Sequence, residues 1–480
     1  MSLMGTLCAQ GPWARQSVPY NNGGTLTPRD IAADPFGNTY LMGDFGGQVQ
    51  VGDFQLEDFN KVSDIGPLVL LKYSPQGNVI WAKPFSAKGS SRGYGVATDP
   101  QGRAYICGSY DQTNSFTLLD LGNGVQLEGN PSESVFVAML DSAGNTQWAS
   151  RILATDEPGT QYIRPKDIVA DAGGNVYITG KMLAPVNANG QVFNQNNPGK
   201  DQAFVAKFDA SGSLLWFRQT ETVNQNGFAG GENLVLTSNG GVVVSGTYEQ
   251  SVRWGADTLP LIANGGINLF IVSFGPDGAL NWWQMAASGG SGNQQPHELG
   301  IDQQGNIYTT LRAAGQISLK DSSFFFEIDR YLLKFNANGQ RVFVRPLYKK
   351  STSFSAGIDV HSLYTRPDGQ TFLTGTYGFQ PPVFGSDTLP IDPAGFNPRN
   401  YLAVYDANGH MLGGSSLFEE HLSQFYEIKS NTLIQRPDGH LQLTGTFEGQ
   451  VVFLGDSLDS QGGQDQGFLL SFRPEALFDA

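Results

Sequence analysis

One serine in this 480-residue chain stands in a pattern associated with nucleophilic catalysis. Gly89–Gly93 reads Gly-Ser-Ser-Arg-Gly and satisfies the G-x-S-x-G pattern. A nucleophile elbow places that serine on a sharp turn between a strand and a helix. Here the surrounding sequence predicts a loop between two strands, so a catalytic role for this segment is not supported.

The histidines form no recognisable zinc-binding motif. His297-Glu298 and the run Glu419-Glu420-His421 fall in predicted loops, where solvated side chains are the commoner case. Neither H-E-x-x-H nor a close histidine pair occurs among His297, His361, His410, His421 and His440. The sequence therefore predicts no metal site, no cofactor and no catalytic residue.

Acidic residues recur at one place in the chain, three residues before a glycine. These residues are Asp34, Asp99, Asp171 and Asp302, and the matching places elsewhere hold Thr237, Arg366 and Arg436. A ring of carboxylates at one channel mouth could hold an ion. An aspartate that opens a Pro/Gly turn also accepts backbone N–H groups, and we favour this structural interpretation.

A sevenfold repeat supplies the elements that position these residues. Its turn glycines are about 64 to 72 residues apart, at Gly37, Gly102, Gly174, Gly240, Gly305, Gly369 and Gly439. Short apolar runs between turn signals indicate strands, and such a period indicates a repeat architecture. Four strands in each of seven repeats predict an all-β fold, a single seven-bladed β-propeller of antiparallel blades. We name the strands a to d from the central channel outwards.

The repeat also predicts the domain limits. We expect residues 1–10 to be a remnant of a secretory signal or an added segment, and residues 11–480 to form the propeller. The predicted blades are 30–86, 94–152, 167–219, 233–286, 298–346, 357–415, and 430–473 together with 11–18.

The two ends of the chain predict how the ring closes. After Phe468–Phe472 no fourth strand of the last repeat follows, whereas Trp13 near the start resembles the d-strand tryptophans Trp81, Trp148 and Trp216. We therefore expect the N-terminal strand to complete the last blade, which removes an unpaired strand edge. An aromatic residue repeated at one strand position is best explained by packing between blades.

The clearest repeat resembles a known family. Gly174–Gly180 followed by Asp201–Trp216 resembles the SBBP-type β-propeller repeat of secreted and surface proteins of Bacteroidota and other bacteria. The resemblance covers nearly all of residues 11–473, although Phe343 and Gly413 replace the tryptophan. It implies a propeller fold and an extracytoplasmic location, either secreted or at the cell surface. It implies no shared catalytic residues.

Two enzyme families share part of the same pattern. Asp209–Trp216 resembles the sialidase Asp-box and the tryptophan motif of quinoprotein dehydrogenases. The Asp-to-Gly spacing departs from the Asp-box, and the adjacent cysteines of many quinoproteins are missing.

Charge and cysteine content narrow the partners. With 29 Lys+Arg against 44 Asp+Glu, the formal net charge is -15, which opposes binding to nucleic acid. Cys8 and Cys107 provide no disulfide scaffold, and we expect Cys107 to be a buried strand residue. No segment is long and apolar enough to predict a membrane span. We expect a monomer.

Loop length points to the functional face. The a–b and c–d turns are tight, whereas the b–c and d–a connections are long and emerge together on one face. Several b–c connections carry a predicted small hairpin, at Gln48–Gly52, Val252–Gly255, Val383–Gly385 and Val451–Gly455. Because binding groups concentrate on loops held by a rigid scaffold, we expect a protein or glycan partner on that face. The alternative is a carbohydrate-active enzyme, either a lyase or a glycosidase.

Overall fold

The computed structural model is a seven-bladed β-propeller. It describes residues 11–58, 67–87, 91–111, 118–129, 131–155, 161–197, 199–223, 226–260, 267–288, 298–312, 315–320, 322–326, 330–349, 357–378, 380–390, 398–418, 427–461 and 465–478.

Forty-one strands and one helical turn make up the described chain. The first strand and blades one to three contain β1 (Trp13–Gln16), β2 (Val18–Ala33), β3 (Thr39–Val51), β4 (Phe54–Glu57), β5 (Leu68–Tyr73), β6 (Val79–Ala87), β7 (Ser91–Thr98), β8 (Ala104–Tyr110), β9 (Leu118–Asp120), β10 (Gln126–Glu128), β11 (Ser134–Leu140), β12 (Thr146–Ala154), β13 (Ile163–Ala170), β14 (Val176–Met182), β15 (Val186–Ala188), β16 (Gln191–Phe193), β17 (Gln202–Phe208) and β18 (Leu214–Thr222).

Blades four to seven contain β19 (Phe228–Leu236), β20 (Val242–Glu249), β21 (Val252–Trp254), β22 (Asp257–Leu259), β23 (Asn268–Phe274), β24 (Leu280–Ser288), β25 (Gly300–Ile301), β26 (Ile307–Arg312), β27 (Gly315–Leu319), β28 (Ser322–Phe326), β29 (Arg330–Phe335), β30 (Arg341–Pro346), β31 (Asp359–Thr365), β32 (Thr371–Tyr377), β33 (Val383–Phe384), β34 (Asp387–Thr388), β35 (Arg399–Tyr405), β36 (Met411–Ser416), β37 (Glu427–Gln435), β38 (Leu441–Glu448), β39 (Gln450–Phe453), β40 (Asp456–Asp459), β41 (Gln466–Phe472) and α1 (Glu475–Phe478).

Each blade is an antiparallel meander from the channel outwards. In blade three, β13, β14, β17 and β18 are strands a to d, and each pairs with the next in order. Strands b and c are buried on both faces, because the faces of a blade pack against its two neighbours. The hydrophobic core therefore lies between blades, where Val137 of blade two and Ile178 of blade three share one buried cluster.

The chain ends close the ring as predicted. β1 pairs antiparallel with β41, from Trp13 opposite Ser471 to Gln16 opposite Phe468, and supplies strand d of the seventh blade. Beyond the strand, the Ser17 amide donates to the Gly467 carbonyl at 2.9 Å. These contacts join residues that are about 450 positions apart in sequence.

The d-strand tryptophans pack between blades, which confirms the structural interpretation. Trp216 lies over Gly278 in the c–d turn of blade four, where an added Cβ would stand 2.8 Å from the indole ring. That glycine also has a φ of +77°, so a side chain is disfavoured twice. The indole N–H donates to a carbonyl two residues before the turn glycine in five blades: Trp13 to Pro75, Trp81 to Ser142, Trp148 to Ala210, Trp216 to Pro276 and Trp282 to Ala337.

The two departures from tryptophan have a geometric explanation. Phe343 occupies the position in blade five and packs over Gly409. Gly413 occupies it in blade six, where the next blade has no c–d turn to cover, because its strand d comes from the N-terminus. The ring of Phe478 in α1 lies beside Gly413 instead, 3.6 Å from the position of an added Cβ.

Hairpins are present at all four predicted places: β3 pairs with β4, β21 with β22, β33 with β34 and β39 with β40. Four hairpins, of which only that of β21 was predicted, extend the sheet of the preceding blade: β9 pairs with β6, β15 with β12, β21 with β18 and β27 with β24. A single bridge between Lys349 and Val383 makes the corresponding connection from blade five to blade six. The hairpins thus add main-chain hydrogen bonds between blades and do not only widen a surface.

Candidate functional site

The inner strands share a β-bulge at one height of the central channel. The register with strand b skips one residue in five blades and two residues in blade seven. A bulge leaves its extra residue out of the ladder and redirects that side chain. The skipped residues are Arg29, Tyr94, Lys166, Glu232, His361, and Asn431 with Thr432. We call these seven residues the bulge ring.

All of the bulge ring lines one cavity of about 660 Å³ in the channel. Residues that follow on the same strands, including Ile168 and Leu234, form the apolar part of the wall. In the cavity lining, Tyr364 adds a second aromatic ring from blade six. A pocket of this size with a few convergent polar groups is suited to a small ligand or to part of a larger one.

Ion pairs balance the charges at the cavity. The Arg29 Nε atom lies 2.7 Å from Asp44 Oδ2, and Lys166 Nζ lies 3.6 Å from Glu232 Oε2. Asp359 at the cavity wall pairs with Arg330 at 2.9 Å. Cations and carboxylates therefore neutralise one another locally.

Carboxyl groups directly after the bulge connect neighbouring blades. Asp30 Oδ2 accepts the Val96 amide of blade two at 2.8 Å, and Asp167 Oδ2 accepts the Leu234 amide of blade four at 2.8 Å. Their Oδ1 atoms accept the amide of the next residue in their own strand. Both oxygens of each carboxyl group are thus used by the main chain.

Blades five to seven are connected by a chain of hydrogen bonds. Glu298 Oε2 accepts both the Ser362 hydroxyl and the Leu363 amide of blade six. The Ser362 hydroxyl oxygen in turn accepts the Leu433 amide of blade seven at 2.8 Å. Ser362, the residue after the bulge in blade six, is therefore structural. The bulge residues of blades six and seven line the cavity and also contact neighbouring blades: His361 Nδ1 lies 3.0 Å from the Ser430 hydroxyl, and Asn431 Nδ2 donates to the Pro28 carbonyl at 2.6 Å.

Burial changes the protonation of these groups. It raises the pKa of Asp30 to about 6 and that of Asp167 to about 7, and it raises the pKa of Glu298 well above the ordinary value. The nearby Asp30 charge also raises the pKa of Asp167. Burial lowers the pKa of His361, whose Nδ1 atom lies 3.0 Å from the Ser430 hydroxyl.

The acidic ring predicted at a channel mouth consists of turn aspartates, as the structural interpretation holds. Asp34 Oδ1 accepts the amides of Phe36 at 3.0 Å and Asn38 at 2.8 Å. The same two bonds recur at Asp99, Asp171 and Asp302. At the matching positions, Arg436 pairs with Asp438 and the Thr237 hydroxyl donates to Asn239.

The serine pattern lies elsewhere than predicted. Ser91 to Gly93 begin β7, the inner strand of blade two, and Gly89 and Ser90 lie outside the described residues. Ser91 is buried and faces Tyr110 across the strand pair. The predicted loop was wrong because the inner strand starts earlier than its apolar residues indicate.

The remaining candidate residues are dispersed. His410 contacts Asp406 in a c–d turn, and His440 contacts Asp438 in an a–b turn. Cys107 is a buried thiol in β8, and burial raises its pKa well above the ordinary value. His297, Glu419, His421 and Cys8 lie outside the described residues. In the part of the chain that the structure describes, no three His, Cys, Asp or Glu side chains are grouped as metal ligands.

Parts of the long b–c and d–a connections lie outside the described residues, and the predicted role of their face in binding stays a prediction. The bulge ring was not predicted. One signal could have indicated it. A basic residue followed by Asp begins five residues before the turn aspartate in two blades: Arg29-Asp30 before Asp34, and Lys166-Asp167 before Asp171.

No family model matches this chain. A curated relative, an uncharacterised WD repeat-containing protein of Acanthamoeba polyphaga mimivirus, is 28% identical over 222 residues, which cover 40% of this chain and 15% of the relative. The chain thus matches only a small part of that protein's length.

The solved structures to which this chain is similar are distant in sequence. A Dyadobacter fermentans protein of unknown function is 11% identical, with 97% of this chain and 100% of that chain covered and a TM-score of 0.40. The β-propeller domain of the Trilobed protease from Pyrococcus furiosus is 9% identical, with 92% and 97% covered and a TM-score of 0.43. A gluconolactonase from Xanthomonas campestris is 11% identical, with 98% and 99% covered and a TM-score of 0.31. At these values the likenesses indicate no activity.

The described residues include no helix that is long and apolar enough to cross a membrane.

Proposed function

We propose that this protein is a non-catalytic binding module that receives its ligand in the central channel. The observation that carries the proposal is the bulge ring. Equivalent positions of six blades hold Arg, Tyr, Lys, Glu, His and Asn, yet all of them line one cavity.

The variety of the bulge residues contrasts with the repetition at neighbouring positions of the same strands. Positions that hold the ring together repeat one chemical type, as the apolar residues Ile31, Val96 and Leu234 do two places after the bulge residue. The bulge positions do not share such a type, although they are equivalent in the pairing register. Different donors, acceptors and an aromatic ring at one height are what recognition of an asymmetric ligand requires.

The buried carboxyl groups support binding over hydrolysis. A glycosidase uses two carboxyl groups that face the scissile bond from the ligand side. Asp30 and Asp167 instead direct both oxygens at main-chain amides. Their hydrogen bonds connect blades, so these acids are committed to the scaffold.

The proposal retains an exported location and an SBBP-type origin, on the strength of the repeat sequence around Gly174–Trp216. The partner is a protein or a glycan that presents its recognised group to the channel. The long b–c and d–a connections would then surround the entrance and enlarge the contact.

A retention assay with product analysis tests this function. The intact protein is immobilised and exposed to a panel of bacterial and plant polysaccharides and to cell-envelope proteins, and both retention and new reducing ends are measured. The channel variant is Glu232→Trp, which places a bulky indole in the cavity and removes the carboxylate, and the matched outer-surface control is Leu215→Trp, at a residue that is 52% exposed.

We expect wild type and Leu215→Trp to retain a partner without releasing products, and Glu232→Trp to lose retention. New reducing ends or unsaturated products would overturn the non-catalytic assignment. Equal retention by all three proteins would place binding outside the channel.

A further inference from the structure

The ligand class can be inferred from the arc of blades two to four, and this inference rests on the proposed function. Tyr94, Lys166 and Glu232 are bulge residues of three consecutive blades and line one side of the cavity. Their side chains offer an aromatic face, a cationic donor and an anionic acceptor in that order around the ring.

The spacing of the charged pair leaves capacity for a ligand. Lys166 Nζ and Glu232 Oε2 are 3.6 Å apart, which is beyond a hydrogen bond. An ammonium group carries three donors and a carboxylate accepts at two oxygens, so one ion pair saturates neither. Both side chains are about one third exposed, at 35% and 30%. They present a donor and an acceptor side by side at the cavity wall.

A pair of adjacent hydroxyl groups matches this arrangement. Each hydroxyl both donates and accepts, so one can accept from Lys166 while its neighbour donates to Glu232. Hydrogen bonds to charged groups are the stronger ones. The apolar face of a sugar ring can pack against the ring of Tyr94, which combines an apolar body with a polar tip.

Charge balance selects against an ionic ligand. An anion would have to compete with Glu232 for Lys166 and with Asp44 for Arg29, since both cations already have carboxylate partners. A cation would compete with Lys166 for Glu232 in the same way. The formal net charge of -15 adds a field that repels anions.

We propose that the channel cavity binds a neutral polyhydroxylated ligand, a saccharide unit, through Lys166 and Glu232 with Tyr94 beside them. The unit is either a free sugar or the end of a glycan chain, and both share the vicinal hydroxyl groups that this pair recognises.

The first test measures affinity by calorimetry at one fixed pH. The probes are methyl glycosides of neutral hexoses, their neutral oligosaccharides, and two charged analogues, glucuronic acid and glucosamine. We expect a neutral sugar to bind and both charged analogues to bind more weakly. Tighter binding of the oligosaccharide than of the methyl glycoside identifies a glycan chain, and equal binding identifies a single sugar.

Variants localise the site. Glu232→Gln and Lys166→Met each remove one charge-assisted hydrogen bond and should weaken binding at least about tenfold. The matched control is Glu221→Gln, which breaks an exposed pair with Arg253 on an outer hairpin and should leave affinity unchanged.

A second measurement uses wild-type protein and does not depend on how the variants fold. Acetylation of individual lysines is followed by mass spectrometry with and without saturating sugar. We expect the sugar to slow modification of Lys166 and to leave the exposed Lys349 unaffected.

The outcomes separate this inference from the proposed function. Protection of Lys166 by a charged analogue, with neutral sugars inactive, would overturn the ligand class and leave channel binding intact. If none of these probes protected Lys166 and Glu232→Trp retained its partner in the retention assay, both proposals would fail.

Discussion

Asp167 gives the sharpest test of the scaffold beneath the bulge ring. Its carboxyl group connects blades three and four through the Leu234 amide, and burial raises its pKa from an ordinary 3.8 to about 7. A carboxyl group whose pKa is raised on folding favours the folded state when it is protonated. Its stabilisation is complete below the unfolded pKa and is lost as the pH rises through the folded pKa.

The magnitude follows from that shift. A rise from 3.8 to about 7 corresponds to about 4 kcal/mol if the shift acts in full. Asp167 lines the channel cavity and is only partly shielded, so solvent screening reduces this to ~2 kcal/mol. For a chain of 480 residues this free energy is worth roughly 2 °C in melting temperature.

Asp167→Asn removes the ionisation and keeps a carbonyl that can accept one amide. We expect the variant to be more stable than wild type at pH 8 by ~2 kcal/mol, and this advantage to be smaller at pH 5 by about 1 kcal/mol, because the loss begins at the unfolded pKa of 3.8. The free energy of unfolding is measured by chemical denaturation at both pH values. Because burial lowers the pKa of His361, its contribution to the free energy of unfolding changes with pH in the opposite direction. This contribution cancels when variant and wild type are compared at the same pH.

Asp209→Asn is the matched control. Hydrogen bonds from Ser211 and Ser213 lower the pKa of Asp209, so its contribution is lost only as the pH falls below the ordinary range of a carboxyl group. This variant should be less stable than wild type by the same amount at pH 5 and pH 8. If Asp167→Asn were destabilising at pH 8 and equally so at pH 5, the carboxyl group would act as an ionised acceptor and our reasoning would be refuted.

Three further predictions concern packing and closure. Deletion of residues 11–18 removes β1 and should lower the melting temperature of the whole ring, and a truncated chain that melted like wild type would contradict the closure. Trp216→Ala should cost about 3–5 kcal/mol by denaturant titration, whereas Leu215→Ala, on the exposed side of the same strand, should stay within about 0.5 kcal/mol. In a Cys8→Ser background, the buried Cys107 thiol should react with an alkylating reagent only after unfolding, so rapid labelling of the native protein would show that β8 is accessible.

The architecture was predictable because its signals are local and repeat. Turn glycines such as Gly174 and the alternating apolar strands fix each blade independently of the others. The closure was predictable for a similar reason. Trp13 matches the tryptophans of the d strands but has no strand c before it, and the last repeat has a strand c, Phe468–Phe472, without a strand d after it. The reason for Gly413 became clear only when the missing c–d turn of blade seven was seen in three dimensions.

The bulge ring was missed because the inner strands contain residues that usually end strands. Pro28 and Pro165 precede the bulge in blades one and three, and Gly93 and Gly231 do so in blades two and four. Proline and glycine are tolerated at edge strands and at bulges, and the innermost strand of a blade is an edge. The sequence prediction therefore started these strands too late.

The site was also hidden by its variety. A pattern search finds positions that repeat, whereas Tyr94, Lys166 and Glu232 share a place in the fold and no chemical type. The pairing register shows that they are equivalent.

A crystal structure of the intact protein, soaked with the neutral saccharide that binds most tightly, would show where the sugar binds. We predict density for the sugar inside the channel, with adjacent hydroxyl groups within hydrogen-bond distance of Lys166 Nζ and a carboxylate oxygen of Glu232. Density on the outer surface of the blades, with an empty channel at saturating sugar, would contradict the claim that the bulge ring forms the binding site.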